Sequence, residues 1–292
     1  MANTKADYYV PHGSPWPVVA SVSMFVMALG GAMWLNGAGG GRTVLLLGLA
    51  GLTVMMFGWL GAVIRENIAG LYSGQVDASF RQGMAWFIFS EVMFFFAFFG
   101  ALFYARTLAV PWLGGEGAGE ATNSVLWPEF DASWPTNGPG AIGGNAQGGF
   151  ETIGWSGLPL LNTALLLASS VTITIAHHAL KNNNRLLLNI GTLLTIVLGG
   201  VFLYVQGVEY AHAYQDLDLR LSTGIYGSTF FMLTGFHGAH VTLGLIMLIV
   251  TWLRILRGHF TPREHFGFQA VSWYWHFVDV VWVCLFIFVY VL

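Results

Sequence analysis

Seven stretches of this chain, residues 16–36, 44–64, 83–105, 158–178, 186–208, 225–253 and 267–292, are apolar almost throughout. A helix rises about 1.5 Å per residue, so about 20 such residues cross the hydrocarbon layer of a bilayer, and each stretch is long enough. Composition points the same way: 55% of the residues are hydrophobic and 9% charged, against about 25% charged in an ordinary soluble domain. No soluble core needs that share of apolar sequence. The expected fold is an all-α membrane protein of seven transmembrane helices, organised as one domain over residues 1–292.

Orientation follows from the basic residues, which are in excess on the cytoplasmic or matrix side. With the N-terminus inside, the inner segments hold Lys5, Arg65, Arg81, Lys181, Arg185, Arg254, Arg257 and Arg263, and the outer ones only Arg42, Arg106 and Arg220. That asymmetry favours N-in, C-out. The acids Glu116, Glu120, Glu129, Asp131 and Glu151 share one outer loop, but carboxylates weigh little in the rule, and the net charge of −3 says nothing about partners. The first apolar stretch is too long for a signal-peptide core and follows a single Lys, so it reads as a retained span. A lone cysteine, Cys284, excludes an internal disulfide and a cysteine-based metal site; the plain reading is a small hydrophobe.

Most connections are short, but the outer loop 106–157 is long enough to hold structure of its own. Rich in Gly, Trp, Pro and Asn, it cannot form a packed core by itself, so it is either a mobile loop or one laid on a partner's surface. Its Trp112, Trp127, Trp134 and Trp155 suit an interface with headgroups or protein. The polar connection from Arg65 to Gln82 separates two spans from five and permits two sub-bundles with a groove between them. Gly30, Gly31, Gly48, Gly51, Gly58 and Gly61 recur on the first two spans, where small residues let helix backbones approach closely.

Ionisable groups inside spans are costly, and they are retained for pairing or for function. Glu91 lies in FIFSEVMFFFAFF among aromatic neighbours, where the neutral acid is the expected form because the charged one loses more hydration. It reads either as a proton-responsive or lipid-sensing group or as an acid hydrogen-bonded to a neighbouring helix. His237 and His240 in TGFHGAH, and His276 and Asp279 in WYWHFVDVVW, are pairs spaced by three and so share a helix face. An interhelical network joining these imidazoles to Asp279, and to Glu91, satisfies them without catalysis. The rival reading makes His177, His178, His237 or His240 axial haem ligands, although matched pairs at equal depth are not evident. At the inner ends Arg65, Arg254 and Arg257, with Trp59 nearby, sit at headgroup height, where cationic side chains reach lipid phosphates. Plain topology determination is the alternative. No P-loop, HExxH, plausible triad or copper-type Cys and Met set occurs, so no catalytic or metal residues are assigned.

Several motifs, in order along almost the whole chain, resemble cytochrome c oxidase subunit III: SPWP at Ser14–Pro17, FIFSEVMFFFAFF around Glu91, PLLNTALLLASSVTITIAHH from Pro159, and NNNR from Asn182. GIYGSTFFMLTGFHGAHV from Gly224, HFTPREHFGF from His259 and the final WYWHFVDVVW complete the series. The long outer loop is similar to that of bacterial members, and seven spans favour the cytochrome c oxidising branch. The resemblance implies a subunit without haem or copper of its own, packed directly against catalytic subunit I, near subunit II and small accessory subunits. Phospholipids would fill a V-shaped cleft between the first two helices and the last five. By position, Glu91 matches the buried family carboxyl, and Trp59, Arg65, Arg254 and Arg257 fall where members contact lipid. The implied function is to stabilise subunit I and to sustain proton uptake and oxygen access in an enzyme that takes electrons from cytochrome c and pumps protons. The implied location is the bacterial inner (plasma) membrane, or the mitochondrial inner membrane in a eukaryote. A subunit III of a quinol-oxidising or nitric-oxide-reducing complex is the alternative; a free-standing proton-coupled transporter would need broken helices at a midplane site.

Overall fold

The computed structural model describes residues 13–292; Lys5, counted above among the inner cations, lies outside them. Among the described residues there is no strand, and seven helices are long and apolar enough to cross a membrane. They are α1 (Trp16–Leu35), α2 (Gly41–Ile68), α3 (Gly74–Tyr104), α4 (Leu158–Lys181), α5 (Arg185–Gln215), α6 (Gly224–Leu256) and α7 (Phe266–Leu285). The chain divides into two compact units, one ending at Gln82 and one running from Gly83 to Leu292.

In the first unit α1 and α2 form an antiparallel hairpin whose backbones nearly touch. A Cβ on Gly30 would lie 2.1 Å from the Leu45 nitrogen, and one on Gly48 2.4 Å from the Met27 nitrogen. Only a residue without a side chain permits that approach. Few side chains are buried here, Ser23 and Met55 among them.

The second unit buries a continuous core. Helix α4 packs on α5 and α7, and α6 packs on α5 and α7, so these four close a bundle. The α3 residues from Gly83 onward join it through aromatic side chains, with Phe87 stacked on Tyr274 and Phe94 edge-on to Phe236. Trp275 and Trp282 are wholly buried. The Trp275 ring fills space that a Cβ on Gly199 or Gly244 would enter, at 2.6 and 3.0 Å.

Several helices outrun their apolar stretches. Helix α3 starts at Gly74 rather than 83, because the polar turns 75–82 stay helical; Arg81 Nε donates to Asp77 Oδ2 across one turn at 2.7 Å. Beyond Tyr104 it continues through a π-helical segment, Ala105–Ala109, to Leu113, so the long connection begins at 114 rather than 106. Helix α5 runs to Gln215 rather than 208, with His212 bonded to Asp216 at 2.7 Å at its polar end. Polarity ends a hydrophobic window before it ends a helix.

The connection 114–157 lies against its own bundle. The Tyr226 amide donates to the Thr136 carbonyl at 3.2 Å and the Glu151 amide to that of Leu217 at 2.9 Å. Trp134 and Phe150 pack on the Tyr226 ring. Asn123 ties the segment internally, its amide donating to the carbonyls of Leu113 and Trp127 at 2.9 and 2.8 Å.

Candidate functional site

The five ionisable side chains singled out inside the spans divide among three separate places in the bundle, rather than joining one network. The first is a cross-helix pair between α3 and α6. Glu91 Oε2 lies 2.7 Å from His240 Nε2, and His240 Nδ1 lies 2.6 Å from the Phe236 carbonyl. A carbonyl only accepts, so Nδ1 carries a hydrogen. The short contact at Nε2 therefore needs one further proton between nitrogen and oxygen. Either a neutral acid donates to a neutral imidazole, or an imidazolium donates to a carboxylate, and the pair is neutral overall both ways. Both members are partly buried, and Phe94 and Phe95 pack against the imidazole.

The second place is His237, fully buried on α6, whose Nε2–H donates to the Val278 carbonyl of α7 at 3.0 Å. Its ring packs against Trp282 and Phe202. Spacing by three puts His237 and His240 one turn apart, yet they serve different neighbours, because α6 meets α7 on one side and α3 on the other.

The third joins α4 and α7. His276 Nδ1 lies 2.6 Å from Ser170 Oγ and its Nε2 lies 3.3 Å from Thr174 Oγ1. Asp279 Oδ2 is 3.9 Å from His276 Nδ1, too far for a hydrogen bond. Asp279 is buried, with the Ser170 hydroxyl beside it.

Polar ties that the motifs do not announce complete the bundle. Trp275 Nε1 donates to Ser169 Oγ at 2.8 Å and Trp282 Nε1 to Thr163 Oγ1 at 2.9 Å. The Tyr290 hydroxyl donates to Glu209 Oε1 at 2.5 Å, and both residues are buried. Glu209 escapes a sequence reading because it follows the end of an apolar window; the signal was the helical period, which continues through it.

At the other candidate positions, Trp59, Arg65 and Arg257 are exposed. Arg254 is partly buried, its guanidinium 4.4 Å over the Phe260 ring, and its Nε meets no hydrogen-bond acceptor among the described residues. Arg185 Nη2 donates to the Phe260 carbonyl at 2.8 Å, which fixes the ring that Arg254 covers. Among the described residues no group of three or more His, Cys, Asp and Glu side chains gathers where a metal could be held.

The sequence profile of the family described as cytochrome c oxidase subunit III matches residues 6–118 and 122–292. Cytochrome c oxidase subunit 3 of Gadus morhua and that of Homo sapiens are each 40% identical to this chain over 291 residues, covering 99% of it and 98% of the relative. That of Equus asinus is 40% identical over 293 residues, with the same coverage. The chain thus belongs to the cytochrome c oxidase subunit III family and is a membrane-embedded subunit of a multi-subunit oxidoreductase complex.

Proposed function

We infer that this chain is a non-redox core subunit, without a catalytic centre of its own, that packs directly on catalytic subunit I. Subunit II and small accessory subunits complete the surroundings; haem and copper reside in the partners, and cytochrome c delivers the electrons. The observation that carries this reading is the use made of the mid-span histidines. Both ring nitrogens of His240 are engaged, by Glu91 and by the Phe236 carbonyl, and His237 donates across to α7. Such imidazoles tie helices together, and ligating a haem iron would break those ties. The topology is N-in, C-out, in the inner (plasma) membrane of a bacterium or its mitochondrial counterpart.

Arg65, Arg254 and Arg257, with Trp59, hold phospholipid at the inner rim. Support comes from Arg254, whose Nε finds no acceptor among the described residues and whose guanidinium lies 4.4 Å over the Phe260 ring; guanidinium groups bind phosphate with strong, charge-assisted bonds. Through that lipid and through its contacts with subunit I, the chain sustains proton uptake and oxygen access over repeated turnovers. Glu91 and His240 form a neutral structural pair in this reading, and His276 with Asp279 a second polar tie.

The test is purification of the complex followed by separation of this subunit. Metal analysis and a reduced-minus-oxidised spectrum of the separated chain should show neither haem nor copper, and a stoichiometric haem signal would overturn the reading. In the intact complex, Arg65→Ala with Arg254→Ala should release lipid and leave initial turnover near normal, with activity then lost faster on cycling. Unchanged lipid content and lifetime would reduce these arginines to topology signals.

A further inference from the structure

Glu209 is wholly buried, yet only one of its two carboxylate oxygens is matched. Oε1 accepts from the Tyr290 hydroxyl, and Oε2 meets no hydrogen-bond partner among the described residues. Burial strips water from the group, and one hydrogen bond does not replace it, so the arrangement is costly as it stands. Depth sets what could relieve it. At about 1.5 Å per residue Glu209 stands about 36 Å along α5 from Arg185, farther than the hydrocarbon layer of about 30 Å is thick. It therefore belongs to the headgroup zone rather than to the lipid tails.

There Glu209 forms part of the wall of a cavity of about 280 Å³. His212, one turn on, shares that wall, and Ile153, Leu158, Pro159 and Leu217 make most of the remainder apolar. His212 Nδ1 is 2.7 Å from Asp216 Oδ2; a carboxylate only accepts, so Nδ1 carries a hydrogen and Nε2 of the neutral ring presents a lone pair. Two acceptors thus serve one cavity. The charge around them has one sign, because Glu151, Asp216 and Asp218 adjoin wall residues in sequence, while Arg220 is turned to Asp218 at 3.5 Å. A metal ion would also suit two acceptors, but among the described residues no third His, Cys, Asp or Glu side chain joins them. Water would fill the volume and bring no counter-charge. An alkylammonium brings three N–H donors and a positive charge, and the apolar wall receives the carbons that carry it.

We propose that this cavity binds a primary ammonium group on a short alkyl body, with Glu209 and His212 as its acceptors. Two sources carry that chemistry at this depth, the ethanolamine headgroup of a phospholipid and a free alkylamine. The intact complex is placed in nanodiscs of phosphatidylglycerol and irradiated with a diazirine-bearing alkylamine, and the adducts are mapped by mass spectrometry. The adduct should fall within residues 152–159 or 209–217, and an excess of n-butylamine, but not of n-butanol, should prevent it. Glu209→Gln keeps an acceptor for Tyr290 and drops the charge, and His212→Ala alters a half-exposed position outside the packed core. Each should lower the adduct roughly tenfold, the scale of one charge-assisted hydrogen bond. Repeating the labelling in nanodiscs that contain phosphatidylethanolamine distinguishes the sources: a blocked adduct identifies the headgroup, and an undiminished one the free amine. An adduct elsewhere, equal competition by n-butanol, or an unchanged yield in both variants would overturn the proposal. So would loss of the adduct to a stoichiometric amount of Zn2+, which would make the cavity a metal site instead.

Discussion

Between Trp16 and Ile68 two helices are held by the absence of side chains, whereas from Gly83 onward five helices are held by the largest side chains available. In the hairpin, Gly30 and Gly48 admit the opposite backbone to within van der Waals contact, and little else is buried. In the bundle, Trp275, Trp282, Phe202 and Phe230 fill the interior, and each indole N–H finds a hydroxyl. Lipid tails are as apolar as Leu, so neither unit gains from hydrophobic burial as a soluble protein does. What remains is close packing and hydrogen bonding. The hairpin relies mainly on the first, and the bundle combines both.

The sharpest break in that comparison is Trp275→Ala. It removes a wholly buried ring that meets three helices besides its own, packing at Gly199 and Gly244 and donating to Ser169, whose hydroxyl is left without its donor. A cost of about 3–5 kcal/mol is expected for truncating a buried Trp. Trp275→Phe keeps most of the packing and loses the hydrogen bond, which should cost about 1 kcal/mol. Thermal denaturation of the purified complex, followed by release of this chain, separates the two. Equal losses would mean that the indole N–H, and not the ring, secures the bundle.

For the hairpin the corresponding change adds atoms. Gly48→Ala places a Cβ 2.4 Å from the Met27 nitrogen, and main chain cannot swing aside as a side-chain tip can. Overpacking of this kind costs about 1–3 kcal/mol. Gly31→Ala is the control: nothing lies within 4 Å of its Cβ, and Ala favours a helix over Gly by about 1 kcal/mol. The first should open the hairpin to proteolysis in detergent, and the second should leave it unchanged or slightly more resistant. Equal effects at the two positions would show that the close approach does not hold α1 to α2.

The two kinds of packing were unequally legible beforehand. Apolar length alone marks the seven spans, and recurring glycines mark the hairpin contact, because a missing side chain is visible in a sequence. The polar turns at 75–82 and 209–215 are helical yet fall outside the apolar stretches, since a hydropathy window reads polarity and not backbone hydrogen bonding. The ties Trp275 to Ser169 and Trp282 to Thr163 could not be read, because they depend on the rotation and register of α4 against α7. The same limit applies to the ionisable groups. Spacing put His237 beside His240 and His276 beside Asp279, but their partners, the Val278 carbonyl, Glu91 and Ser170, lie on other helices. For the long connection the sequence leaves two readings open, and it packs on its own chain because Trp134 and Phe150 find the Tyr226 ring there.

The smallest expected effect tests whether the Glu91–His240 pair belongs with these structural ties. Nδ1 of His240 is committed as a donor to the Phe236 carbonyl, so a neutral imidazole presents a lone pair at Nε2. The carboxamide of Gln has N–H groups that can donate to that lone pair. Glu91→Gln should therefore keep the link between α3 and α6 and leave assembly and oxidase activity nearly unchanged. Glu91→Leu removes the partner altogether and leaves a partly buried nitrogen unmatched, at an expected cost of about 1 kcal/mol, the scale of a single interhelical hydrogen bond in a membrane. Retention of this chain in the complex through graded detergent washes, measured beside turnover, distinguishes the two variants. If Glu91→Gln instead abolished turnover while the chain stayed bound, the proton shared by Glu91 and His240 would be used by the enzyme, and the pair would belong to function as well as to the packing of α3.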